Sequence, residues 1–353
     1  VLIDHGGDDM HFGLFCLNTQ RDKSKTPRQI YAETLEQVKL ADEVGFEIAW
    51  FAEHHFSNYC LCPSPVTMTT YMAGQTKRIK LGPAVIVAPL YERIRLLEDI
   101  GVADQLSGGR LVLGFGTGYQ EYEFHKFGVD LSTAREHLFE TLDLLDTYLS
   151  GEPVSFDGKY ARLPETYFSV KTVQSRPPIY VAGMGGDVEL QRRAVQRGYT
   201  PFFTTGWNSL DDIAGIRAKV GKTYAEAGGS ADTMPFATQR YVCITSDKTV
   251  ARKAADGARY IRRIASAMRG KYGELEGSFL KETPAADEPP LDEIEKRLLI
   301  GDADTIAERL GDEIKTLKLS HMSCFMAIPG LDQDVILRSM REFGEKVIPR
   351  LST

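Results

Sequence analysis

The chain contains no run of about 18 apolar residues, so nothing in it reads as a membrane-spanning helix. A basic excess is missing too. Its 42 Lys and Arg stand against 49 Asp and Glu, a formal net charge of −7, whereas a general nucleic-acid binder needs a concentrated basic surface. Cysteine is scarce. Cys16, Cys60, Cys62, Cys243 and Cys324 are odd in number and scattered, which argues against a disulfide framework and reads as reduced thiols in a cytoplasmic protein. The spacing of Cys60 and Cys62 is not that of a zinc site and no second ligand pair follows, so no metal is expected. Residues 1–9, VLIDHGGDD, lack the basic start and apolar core of a signal peptide and read as a leader or an expression remnant before Met10. These exclusions leave small-molecule chemistry in a globular chain with 42% hydrophobic and 26% charged residues.

What the sequence does contain is alternation. Apolar strand-like runs begin near residues 11, 46, 81, 111, 179, 200, 237 and 321, separated by helical patterns. In the first helix Ile30, Leu35, Val38, Ala41 and Val44 recur at helical spacing and Gly45 supplies a stop. The run IKLGPAVIVAP is apolar throughout, as in a strand covered on both faces. Eight such units predict a (β/α)8 barrel (TIM barrel) of the α/β class rather than an open doubly wound sheet, in one domain over residues 10–353. Insertions are expected after strands 4 and 7. The first contains VSFDGKYARL, which reads as a small hairpin; the second, 270–300, is charged, bears Gly and Pro, has little periodicity and reads as a mobile lid loop.

In a barrel the carboxyl ends of all strands share one face, where sites are built. FEIAWFAEHHF ends an apolar run in Glu53, His54 and His55, and this is the leading candidate for chemistry. Two glycine-rich turns fall on the same face: Gly116, Thr117, Gly118 and Tyr119, then Gly183, Met184, Gly185 and Gly186. The second runs straight into a helix whose free N–H groups suit a phosphate. GFGTGY lacks the third glycine of a dinucleotide fingerprint, and its helix is expected some 14 residues later. Asp187 is a candidate helix cap. Arg135 either reaches an anion or forms a surface salt bridge.

Taken together, MHFGLF, WFAEHHF, LGPAVIVAP, EDIGVADQLSGGRLVLGFGTGY, FGVDLSTAR, IYVAGMGG and MREFGEKVIPRL resemble, in order and spacing across residues 10–351, the bacterial luciferase-like flavin monooxygenases. The resemblance implies a barrel that binds reduced FMN at its strand ends and, with O2, oxygenates a small organic substrate through a flavin hydroperoxide. A separate NAD(P)H-dependent reductase would supply the reduced FMN. His54 matches the family's catalytic histidine, with Glu53 and His55 in support. Ala84 and Val85 match a pair joined by a non-prolyl cis peptide beneath the isoalloxazine. Arg135 matches a phosphate-side arginine, and the turn from Met184 to Gly186 lies against the flavin. Gly116, Thr117, Met184 and Gly185 depart from the luciferase α chain, where a cysteine, an arginine, a glutamate and a serine stand, so an oxygenase of the wider family is expected rather than a light emitter. Phe15, Phe115, Phe202 and Trp207 are candidates for an apolar substrate pocket and equally for barrel core. A homodimer through the second and third barrel helices is implied as well. Two other readings share the fold: a deazaflavin-dependent oxidoreductase and a non-catalytic flavin-binding partner subunit.

Overall fold

A computed structural model of the chain describes residues 10–183, 185–284 and 288–351. The expected leader at 1–9, Met184 of the second glycine turn, 285–287 of the expected lid and the last two residues of the expected domain lie outside the described residues. Eight parallel strands form the centre: β1 (His11–Cys16), β2 (Ile48–Phe51), β3 in two pieces (Lys80–Pro83 and Ile86–Val87), β4 (Leu113–Gly116), β5 (Ile179–Ala182), β6 (Thr200–Gly206), β7 (Ala237–Ile244) and β8 (His321–Phe325). Each begins within a few residues of its expected position. The order runs β3-β2-β1-β8-β7-β6-β5-β4 and returns to β3. Closure goes through β3: its first piece pairs with β2 and bridges Leu81 to Leu111, and its second piece pairs with β4. Between the pieces the Ala84–Val85 peptide bond is cis.

Local chemistry explains the helical layer. The helix Pro27–Val44 starts with a capping box between Thr26 and Gln29, has Pro27 in its first turn, and stops where Gly45 takes φ 98°. The hairpin expected after strand 4 is present as Val154–Asp157 paired with Arg162–Thr166. Two expectations are corrected. A helix, Glu121–Phe127, follows β4 at once rather than 14 residues later; its seven residues are too few for a periodic pattern to stand out. Segment 270–300 is also more ordered than its polarity implied. It carries a hairpin (Leu275–Glu276 with Phe279–Leu280), the helix Leu291–Arg297 and a strand, Leu299–Gly301, that joins the outside of β7 in parallel. Among the described residues no helix is long and apolar enough to cross a membrane.

Two buried polar constellations hold the barrel around its mouth. Asn58 is fully buried; its amide N–H2 donates to Gln20 O and Tyr260 Oη at 2.8 Å each, and its Oδ1 accepts from Leu280 N at 2.8 Å. Through it the loops after β1 and β2 grip the inserted hairpin. Arg240 of β7, 1% exposed, donates to the carbonyls of Gly206, Asn208 and Arg297 and to Glu313 Oε1 at 2.9 Å. This fixes the loop after β6 to the insertion. Removing one partner leaves a buried uncompensated charge. Glu313→Ala is therefore expected to cost about 3–5 kcal/mol in urea denaturation; a loss under about 1 kcal/mol would contradict the assigned role.

The barrel floor supplies a pH-dependent term. Trp50 donates its indole N–H to His321 Nε2 at 2.9 Å, so the ring proton sits on Nδ1. Gly13 is required there, because a Cβ would lie 2.9 Å from both rings. Burial pushes His321 down from 6.5 to about 3. The folded value lies below the unfolded one, so its contribution is complete above pH 6.5 and drains away as pH falls toward 3. From pH 7 to 5 the unfolding free energy of the wild type should fall by about 2 kcal/mol relative to a His321→Gln variant. A pH-independent difference would contradict this account.

Candidate active site

At the end of β2 the chain divides its titratable side chains between two sides. His54 lies at the barrel mouth, its ring edge-on to Tyr59 at 4.6 Å and near Tyr119 at 6.1 Å. Its Nδ1 is 3.0 Å from Oε1 of Glu123. Since a carboxylate accepts and does not donate, Nδ1 carries the proton and Nε2 is left for chemistry. Nε2 has no hydrogen bond among the described residues, and the side chain keeps 13% of its surface open.

Glu123 is the functional residue that sequence reasoning missed. It is 1% exposed on the short helix after β4, and the same Oε1 accepts the backbone N–H of His55 at 2.8 Å. The adjacent Tyr122 donates its hydroxyl to Phe56 O at 3.1 Å, where Phe56 takes φ 60°, a region rarely populated by bulky residues. One helix thus sets both the imidazole and the turn that follows it. The available signal was an acid between two aromatics, Tyr122 and Phe124, directly after a glycine turn.

Glu53 and His55 form a separate pair facing β3. Glu53 Oε1 is 3.0 Å from His55 Nε2, and its Oε2 accepts from Val87 N at 3.1 Å and Tyr91 Oη at 2.9 Å. Burial raises the Glu53 carboxyl, while the donors from His55, Val87 and Tyr91 oppose that rise. Among the described residues neither side chain has a hydrogen bond to the His54 ring. Together they fasten the end of β2 to the second piece of β3, just beyond the Ala84–Val85 bond.

Inside the barrel below the mouth, Trp50, Ala84, Val85, Tyr180 and Phe202 line a small apolar cup. Gly114 admits the chain there, since a Cβ would lie 2.4 Å from Pro83 O. Strand alternation selects the core alternative for Phe115: with Gly114 and Gly116 turned inward, it belongs to the outer buried cluster with Leu96, Leu97, Leu138 and Leu142. Phe15 lies in the core, edge-on to Phe325 at 5.5 Å. Trp207 remains at the mouth, where a cavity of about 360 Å³ is bordered by Tyr59, Tyr119, Trp207, Tyr241, Arg262 and Arg269.

The glycine turns stand at the rim. Thr117 spends its hydroxyl locally on Gly118 O at 3.0 Å, and Tyr119 is half exposed. Gly183, at φ 75°, donates to Phe202 O; Gly185 and Gly186 then lead into the helix Val188–Arg197. Both readings of the next pair hold together. Asp187 caps that helix through Leu190 N at 3.0 Å and also accepts from Arg135 Nε at 2.5 Å and Nη2 at 3.1 Å. The Arg135 guanidinium holds the Asp187 carboxyl below its usual range. An apolar strand-end surface, free space over Gly183 and Gly186 and a half-exposed arginine beside a helix N-terminus fit an aromatic cofactor with a phosphate tail.

Comparison with known proteins agrees with this geometry. The model of the luciferase-like monooxygenase family matches residues 10–319. The chain is 34% identical over 342 residues to the uncharacterized protein y4vJ of Sinorhizobium fredii, covering 96% of this chain and 97% of that one. It is 30% identical over 192 residues to the oxygenase component of the flavin-dependent trigonelline monooxygenase of Acinetobacter baylyi, about half of each chain (54% and 52%). Among solved structures, the oxygenating constituent of 3,6-diketocamphane monooxygenase of Pseudomonas putida in complex with FMN shares the fold at TM-score 0.77 and 20% identity, covering 97% and 98%. An F420-dependent secondary alcohol dehydrogenase shares it at TM-score 0.75 and 18% identity, covering 98% and 100%. From the match over residues 10–319 and the barrel that carries it, the chain belongs to the luciferase-like monooxygenase family.

Proposed function

We propose that this protein is the oxygenase component of a two-component system, taking reduced FMN from a separate NAD(P)H-dependent reductase and using O2 to oxygenate a small organic substrate. The observation that carries the reading is His54, with Nδ1 fixed on a buried carboxylate and Nε2 free of any hydrogen bond among the described residues, its ring between Tyr59 and Tyr119. Reduced FMN, when bound, supplies the electrons that activate O2. Ala84 and Val85 would lie against its ring system; Thr117, Gly118 and Tyr119, with Gly183, Met184, Gly185 and Gly186, would border it, and Arg135 with the helix beginning at Val188 would meet its phosphate. His54 gives or takes a proton at Nε2, and the Glu123 carboxylate stabilises the imidazolium while it does so. Glu53 and His55 act by position, holding β2 and β3 in register at the site. Tyr59 stays protonated, since burial with Tyr119 and Tyr241 nearby pushes its phenol well up, and it helps exclude water. The inserted segment 270–300, held at Asn58, serves as the lid.

Other parts of the reading are proposals of the same kind. The protein works in the cytoplasm beside its reductase. Tyr71, Val102 and Leu106, exposed on the helices Pro65–Ala73 and Arg93–Ser107, form a homodimer face.

The test is isotopic. With FMN, an NADH-dependent flavin reductase and ¹⁸O2, a panel of small aromatic and acidic compounds should yield a product bearing one ¹⁸O atom by mass spectrometry. His54→Asn should lower that yield by about 10²- to 10⁴-fold. Glu123→Gln should lower it less while leaving FMN affinity unchanged. Substrate oxidation with deazaflavin F420 and no oxygen incorporation would replace this reading with hydride transfer.

A further inference from the structure

The helix Lys248–Ala267 spans the mouth on the β7 side and carries arginines on two faces with different fates. On one face Arg259 pairs with Asp256 at 2.6 Å, and Arg263 pairs with Glu282 at 2.8 Å and Glu288 at 2.5 Å. On the other, Arg262 and Ser266, with Arg269 just past the end of the helix, line the cavity wall. Neither the Arg262 nor the Arg269 guanidinium has a hydrogen bond or ion pair among the described residues. They are the charged members of that wall, which contains no carboxylate, although acids outnumber bases in the chain as a whole. Their charges bear on the phenols opposite, Arg262 on Tyr241 and Arg269 on Tyr119.

We propose that the mouth cavity binds an organic oxyanion, with its acidic head on Arg262 and Arg269 and its apolar body between Tyr59, Tyr241 and Trp207. The proposal rests on the oxygenase reading above, of which it names the substrate class. Guanidinium forks match the planar geometry of a carboxylate or sulfonate and form charge-assisted hydrogen bonds with it. A cavity of about 360 Å³ suits a small molecule of one or two rings. Tyr59 and Tyr119 border the cavity and also flank the His54 ring, so the body of such a ligand would extend from the arginines toward the reacting edge. Arg135 stands elsewhere, on the helix Ala134–Ser150 after β4, and already holds Asp187 at the turn after β5.

The test uses a matched probe pair, 2-naphthoate and 2-naphthamide, titrated by naphthalene fluorescence into the full-length protein with and without saturating FMN. The carboxylate should bind about tenfold or more tightly than the amide, the scale of one charge-assisted hydrogen bond. An Arg262→Gln/Arg269→Gln double variant should lose that preference. Arg28→Gln should keep it, since Arg28 lines a separate groove between the helices Pro27–Val44 and Pro65–Ala73. Both substitutions in the double variant replace exposed side chains; circular dichroism and unchanged FMN affinity confirm its fold. Equal binding of the two probes, or a preference that survives in the double variant, overturns the proposal. So does an FMN affinity that falls in the double variant while riboflavin affinity holds, because the arginines would then belong to the flavin phosphate. A wild type that binds 2-naphthoate preferentially but no FMN would support the anion site while removing the cofactor reading.

Discussion

A single buried carboxylate oxygen organises the mouth of this barrel. Glu123 Oε1 accepts from the His54 ring and from the His55 backbone, joining the end of β2 to the helix after β4 across 69 residues of sequence. Two donors on one oxygen compensate for its burial, and a carboxylate left there with neither would be costly. The bond also sets the tautomer of His54 and leaves the other nitrogen without a hydrogen bond among the described residues. Glu53 performs the parallel task on the far side of β2, where its partners are structural rather than reactive.

Around this bond the polar interior works as a set of staples. Asn58 ties the inserted hairpin to the loops after β1 and β2, and Arg240 with Glu313 ties the loop bearing Trp207 to the insertion. A barrel positions its strand ends by register, but its loops need such fastenings to keep geometry. The side chains left unfastened are therefore informative, and among the described residues at the mouth they include His54 Nε2 and the guanidiniums of Arg262 and Arg269.

The strands were legible because each is an apolar run long enough to be buried on both faces, and eight of them in alternation point to a barrel. The insertion was less legible. Its hairpin depends on Asn58, more than 200 residues away, and its strand on the edge of β7, so no local periodicity announced either. In the site, His54 could be read because an apolar strand ended in it. Its partner could not, since Glu123 becomes one only when β2 and β4 are brought to the same end of a closed sheet. Phe115 was left open between pocket and core for a related reason: in LVLGFG the inward face belongs to the glycines, and an aromatic between two glycines gives no sign of that. Asp187 was read as a helix cap and Arg135 as an anion contact or a surface salt bridge; the cap and the salt bridge are both formed.

The account's central claim is that these residues make a water-excluding site where reduced FMN meets O2 beside His54. Rapid mixing of anaerobic protein and reduced FMN with oxygenated buffer, followed by absorbance, tests it most directly. The account predicts an oxygen-dependent absorbing transient that outlives the reoxidation of free reduced FMN, and that shortens when His54 is replaced. Reoxidation at the rate of free FMN, unchanged by the protein, would contradict it.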